Sequence, residues 1–130
     1  MRLLLDTNAW LWMIAAQGRL NTNARALVQD RRNEVFLSAA SSWEIAIKHA
    51  MGRLDLPSRP EGLIPEQMRK SGVVGLAIEH AHALRVNSLP AHHRDPFDRM
   101  LVAQAQVESL AILTADTVFQ RYDVEVVPAG

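Results

Sequence analysis

Four acids stand out by where they fall: Asp6, Glu44, Asp98 and Asp116. Each follows a short apolar run or lies early in a helical stretch, where an open parallel sheet gathers its chemistry. Each also has a plain local explanation. Asp6 and Asp116 can cap the helices behind them. Glu44 can close a capping box with Ser41, as S-x-x-E, and pair with Lys48 four residues on. Asp98 takes the third helical position after Asp95-Pro96, where the helix dipole favours a carboxylate. Convergence of all four at one end of a sheet would change their chemistry. Two carboxylates about 4 Å apart repel by roughly 4 kcal/mol at an effective dielectric of about 20. Protonation or a bound cation relieves that repulsion. An all-oxygen set in a chain without Cys suits a hard ion, Mg²⁺ or Mn²⁺. Beside a phosphodiester such an ion activates water and neutralises developing charge.

Other polar residues offer support to such a site. Thr7 and Thr114 flank the acids and can position a water, bind phosphate or make a turn hydrogen bond. Arg94 and Arg99 match a phosphodiester bidentately, although Arg99 can equally pair with Asp95 at i,i+4. His92-His93 can ligate a metal or contact phosphate, but adjacent residues usually point apart and a surface loop pair is the commoner case; His49, His80 and His82 read as helix-surface residues. Trp10, Trp12 and Trp43 can stack bases, but Trp10 and Trp43 fall on apolar helical stripes and are expected in the core. No G-x-G-x-x-G, P-loop or G-x-S-x-G elbow is present.

The elements that must hold these residues alternate. Arg2–Leu5 is a buried first strand, and Asn8–Ala16 a helix with Trp10, Leu11, Ile14 and Ala15 on one stripe. Asn21 or Thr22 caps a helix through Asp30. Glu34–Leu37 is a strand, and a helix from Ser38 to about Met51 stops at Gly52. A polar helix near 61–70 is closed by Gly72. Then come a β-type run over 73–78, a helix over 79–86 and an irregular stretch over 87–94. Asp95-Pro96 opens a helix to about Ser109. Ala111–Thr114 is a strand, Asp116–Arg121 a short helix and Val124–Val127 an edge strand. Uninterrupted apolar strands alternating with helices predict an α/β fold: a three-layer α/β/α domain with a central, mainly parallel sheet.

Composition narrows the function classes. The 130 residues suit one domain over 1–130, and 48% hydrophobic with 22% charged residues is ordinary globular composition. Fourteen cations balance fourteen acids, which argues against coating nucleic acid with a basic surface; a local basic rim remains open. Twelve of those cations are Arg. With no Cys, disulfide scaffolds, thiolate metal sites and cysteine nucleophiles are excluded. No apolar run approaches the roughly 20 residues that cross a bilayer. A reducing, cytoplasmic setting is expected.

Ordered together, the acid-bearing segments resemble those of a known family. Leu4-Leu5-Asp6-Thr7-Asn8 resembles the opening of PIN-domain ribonucleases, and Ser38 to Lys48, around Glu44, their second motif. His93 to Ala105, around Asp98, is similar to the third, and Leu113-Thr114-Ala115-Asp116 to the fourth. The likeness covers nearly the whole chain and is strongest to VapC-like toxins. It implies RNA cleavage with Mg²⁺ or Mn²⁺, an antitoxin protein partner and a homodimer. By the same match Asp6 and Asp98 are the main metal ligands, with Glu44 and Asp116 completing the set directly or through water. Asp95 is the helix cap, with a secondary acidic role left open. The first two helices carry more large apolar residues (Trp10 to Ile14) than one stripe requires, which fits a two-fold dimer.

Two other readings compete. A phosphatase of the haloacid-dehalogenase type also opens on an acid after its first strand, but it needs a second acid two residues on. Asn8 stands there. A catalytically silent PIN fold acting as a binding module is the other, and retention of all four acids argues against it.

Overall fold

The structure, a computed structural model, describes residues 1–130. Five strands form one sheet: β1 (Arg2–Leu5), β2 (Glu34–Ser38), β3 (Val74–Leu76), β4 (Ala111–Thr114) and β5 (Val126–Pro128). The helices are α1 (Thr7–Ala15), α2 (Thr22–Gln29), α3 (Ala39–Ala50), α4 (Pro60–Ser71), α5 (His80–Val86) and α6 (Pro96–Glu108). Short 3₁₀ turns cover Gln17–Arg19 and Thr117–Arg121. The strand order is β3-β2-β1-β4-β5, and every pairing is parallel. The expected α/β/α architecture holds.

Pleating explains why the strands read as unbroken apolar runs. Leu3 and Leu5 face one core with Val35, Leu37 and Leu113, while Leu4 faces the other with Phe36 and Ile112. Helices α1, α2 and α4 cover the first face through Trp10, Met13, Ala24, Val28 and Ile64. Helix α6 covers the second through Leu101, Val102 and Ala105, with Phe119 and Tyr122 beside it. A residue buried on either face must be apolar, so no alternation survives in the sequence.

Several expectations are corrected. The edge strands are shorter or shifted, at 74–76 and 126–128, because an edge needs fewer paired residues. Helix α3 follows β2 directly: Ser38 Oγ accepts from the Ala40 amide at 3.0 Å, so Ser38, not Ser41, is the cap. His82 is buried at 1% exposure, not on the helix surface. Its ring turns back to accept from the Glu79 amide at 2.9 Å, and its Nε2 meets Glu108 of α6 at 2.9 Å. The apolar surplus of α1 is covered too. Leu11, Trp12 and Ile14 pack on the core, and the Arg19 guanidinium lies over Trp12 at 4.7 Å. Trp43, Ile78 and Leu84 are among the exposed apolar side chains instead.

The topology decides where function gathers. The chain winds from β1 through β2 to β3 on one side, then returns to place β4 and β5 on the other. The crevice beyond the carboxyl ends of β1 and β4 is the point where winding reverses. Asp6 follows β1, and Asp116 follows β4 by two residues.

Candidate active site

Asp6 is the N-cap of α1. Its Oδ1 accepts from the Ala9 amide at 2.7 Å, and its Oδ2 accepts from the Thr114 hydroxyl at the end of β4. Burial pushes its carboxyl above the usual range, against the lowering effect of the bonds from Thr114 and Ala9. The charges of Asp116 and Glu44 push the same way.

Glu44 reaches the same crevice from α3. Its Oε1 accepts from Thr7 Oγ1 at 2.7 Å and its Oε2 from Lys48 Nζ at 2.7 Å, with the carboxylate buried. Ser41 Oγ is 2.9 Å from Thr7 Oγ1. Each hydroxyl has one proton and the carboxylate has none, so Thr7 donates to Glu44 and Ser41 to Thr7.

Asp98 differs from the others. It sits in the first turn of α6, whose cap Asp95 accepts from the amides of Phe97 at 2.8 Å and Asp98 at 3.3 Å. No hydrogen-bond donor of the protein is aligned on its carboxylate. Burial, then the charges of Asp95, Glu44 and Asp6, raise it to about 7, although His93 beside it acts in the opposite sense. His93 Nε2 lies 2.9 Å from Asp98 Oδ2 and 3.1 Å from Asp116 Oδ2. Asp116 is the most open of the four: its Oδ1 caps the turn at the Val118 amide, 3.0 Å away.

The fold therefore brings Asp6, Glu44, Asp98 and Asp116 into one crevice from four separate elements. Thr7 and Thr114 stand there as well, but as donors to Glu44 and Asp6. Arg94, next to His93 in the chain, is exposed. Arg99 is not free for phosphate: its guanidinium donates to the carbonyls of Pro90 at 3.0 Å and Val86 at 3.1 Å. Val86 ends α5 and Pro90 lies in the irregular stretch behind it, and the planar fork ties the two carbonyls together. Nor does Arg99 pair with Asp95. Trp43 is 62% exposed, contrary to a core position, because α3 turns Ala40, Ser41, Glu44 and Ile45 inward and leaves Trp43 at its edge against Phe97.

His93 is the residue that the sequence reading set aside as half of a surface pair. Adjacent residues do point apart: His92 packs edge-on against Tyr122, and His93 turns into the acids. Its position five residues before Asp98, in a segment that must fold back over α6, was the available signal.

The donor set fits a hard divalent cation. Four carboxylates supply the oxygens, and Asp98 in particular is a desolvated carboxylate with like charges near and no aligned donor. Bound there, a cation would lower Asp98 toward its usual range.

The sequence model of the PIN domain matches residues 3–125. The chain belongs to the PIN domain family. All four acids lie inside the matched span. Over 58 residues this PIN domain is 48% identical to Ribonuclease VapC16 of Mycobacterium tuberculosis, a segment covering 45% of this chain and 41% of that protein. The match thus takes in about two fifths of the relative's length. In fold it is similar to a VapBC2 structure from Rickettsia felis, bound to a promoter DNA fragment, with TM-score 0.74, 13% identity and full coverage of both chains. A DNA-bound VapBC from Salmonella typhimurium gives TM-score 0.72 at 16% identity over 98% of each chain.

Proposed function

We propose that this PIN domain is a metal-dependent endoribonuclease, over residues 1–130, and the toxin of a toxin–antitoxin pair. The observation that carries this reading is the contrast among the acids. Asp6 and Glu44 have both oxygens satisfied by the protein, whereas half-buried Asp98 has no aligned donor. A carboxylate left so is one that awaits a cation.

Asp98 and Asp6 are the main metal ligands in this reading, with Glu44 and Asp116 completing the set directly or through water. When bound, Mg²⁺ or Mn²⁺ supplies Lewis acidity at the scissile phosphate and a water of lowered pKa. The chain's own residues do the rest. Thr114 and the Ala9 amide hold Asp6 in one rotamer, and Thr7 with Lys48 does the same for Glu44. Exposed Arg94 is suited to a backbone phosphate of RNA. The walls of the crevice bury Asp6 and Glu44, while Asp98 and Asp116 stay open enough to meet a substrate.

Partners follow from the relatives. VapBC complexes pair a toxin with an antitoxin, and the fold similarity supports an antitoxin protein as partner here. A homodimer is proposed on the same ground, with Trp43 and its neighbours as the uncovered apolar surface. RNA as substrate goes with work in the cytoplasm.

Incubating the purified chain with a panel of RNAs, with and without Mg²⁺ or Mn²⁺, tests the reading. Cleavage that needs the ion and is lost in Asp6→Asn is expected. Intact RNA under every condition would leave a silent binding module as the better account.

A further inference from the structure

The crevice holds one ring whose role the acids do not explain. We propose, resting on the nuclease reading above, that His93 is a positioning residue: an imidazole that donates its Nε2–H to Asp116 and does not ligate the ion.

By distance alone His93 resembles a metal ligand. Its ring nitrogen and one oxygen each of Asp98 and Asp116 lie within 4.8 Å of one another. Adjacent donors of an octahedron with bonds of about 2.1 Å stand about 3 Å apart, and Nε2 is 2.9 and 3.1 Å from the two oxygens. A hydrogen bond has the same length. The opposite nitrogen separates the two cases. The Asp95 backbone amide donates to His93 Nδ1 at 3.3 Å. An amide N–H has only a proton to offer, so Nδ1 is the accepting nitrogen and Nε2 the donor. Ligation through Nε2 would move that proton to Nδ1, against the proton of the Asp95 amide.

The ring is held in this sense from several directions. The His93 amide donates to Tyr122 Oη at 2.7 Å, and the ring meets Phe119 edge-on with centroids 5.7 Å apart. Phe119 and Tyr122 both belong to the segment behind Asp116, so ring and carboxylate are anchored together. Asp116 then has the Val118 amide on Oδ1 and His93 on Oδ2. Its rotation is fixed beside Asp98 by two donors. Asp95 has two tasks in this arrangement: its carboxylate caps α6, and its amide selects the tautomer.

The test uses the full chain labelled with ¹⁵N-histidine, with the His93 signals identified by their absence in His93→Gln. Long-range ¹H–¹⁵N correlation of the metal-free protein near neutral pH is expected to show His93 protonated on Nε2 and bare on Nδ1. Saturation with Mg²⁺ should leave that pattern in place. A proton on Nδ1, a doubly protonated ring, or loss of the Nε2 proton with Mg²⁺ would overturn the proposal. Pulsed EPR of the Mn²⁺-loaded chain is expected to lack the coupling of a directly bound imidazole nitrogen, and its presence would overturn it equally. Calorimetry with Mn²⁺ reads the positioning role. His93→Ala should bind about 10–100-fold more weakly, whereas His93→Gln, whose amide reaches about as far as Nε2, should recover most of the loss. Parent-like affinity in the alanine variant refutes positioning, as does a folded glutamine variant as weak as alanine. If the parent neither binds Mn²⁺ nor cuts RNA, the nuclease reading fails, while the metal-free tautomer still decides the His93 assignment.

Discussion

Thr7 Oγ1 lies 2.7 Å from Glu44 Oε1, so a single hydroxyl joins the first residue of α1 to the middle of α3 across 37 positions of sequence. Thr7, Ser41 and Glu44 are all buried, so this chain of hydrogen bonds has no water to replace a missing member. Replacing Thr7 by the isosteric Val leaves a buried carboxylate oxygen without its donor. Thr7→Val should lose on the order of 1–3 kcal/mol of stability and much of the RNA cleavage. Thr7→Ser should keep both. Urea denaturation midpoints and cleavage rates of the pair check this.

Asp98 makes the metal-free protein sensitive to pH in a sense opposite to most carboxylates. Its folded value, about 7, is above the ordinary 3.8, so the folded chain keeps a proton that the unfolded chain releases. Stability is therefore fully present below about pH 4 on this account and is lost as pH rises toward about 7. The full effect is on the order of 4 kcal/mol at about 1.4 kcal/mol per unit. Asp6, raised in the same direction, adds to it. Melting curves of metal-free protein across this window should slope downward, Asp98→Asn should flatten them, and Mg²⁺ should restore the parent at the high end. A parent that gains stability over the same window would refute the assignment.

Asp95 and Asp98, three residues apart, are expected to respond differently to the same chemical change. Asp95→Asn retains an oxygen for the Phe97 and Asp98 amides, so it should stay folded and active. Asp98→Asn should melt no lower than the parent without metal, since one repelled charge is gone. Its Mn²⁺ affinity should fall. A loss of about 4 kcal/mol in transition-state stabilisation slows cleavage roughly a thousandfold. Rates and Mn²⁺ titrations of both variants decide; an active Asp98→Asn beside a folded, dead Asp95→Asn reverses the two roles.

Arg99 is expected to act on the fold and not on RNA. Lysine cannot divide its donors between Pro90 and Val86 as the guanidinium does. Arg99→Lys should lower stability by about 0.5–1.5 kcal/mol while the salt dependence of RNA binding stays at the parent slope. Arg94→Ala should show the converse, a shallower slope at unchanged stability. A shallower slope in Arg99→Lys would return Arg99 to the phosphate.

What the sequence by itself determined was whatever depends on neighbours along the chain. Apolar runs of strand length, Asn21 and Asp95 as caps, and Gly72 in the left-handed conformation at the end of α4 all follow from local rules, and they sufficed for an α/β/α fold. The four acids were legible for the same reason, as residues at strand ends and helix starts. Tertiary structure alone decided their inequality. Whether a carboxylate is satisfied depends on donors far away in sequence: Thr114 serves Asp6 across 108 positions and Thr7 serves Glu44 across 37. No spacing rule links such pairs. The same holds for His82 and His93, which look like surface histidines until α6 and the turn after β4 close over them. Arg99 illustrates the limit most plainly, because its partners are the backbone carbonyls of Val86 and Pro90, and backbone carbonyls carry no signature in the sequence.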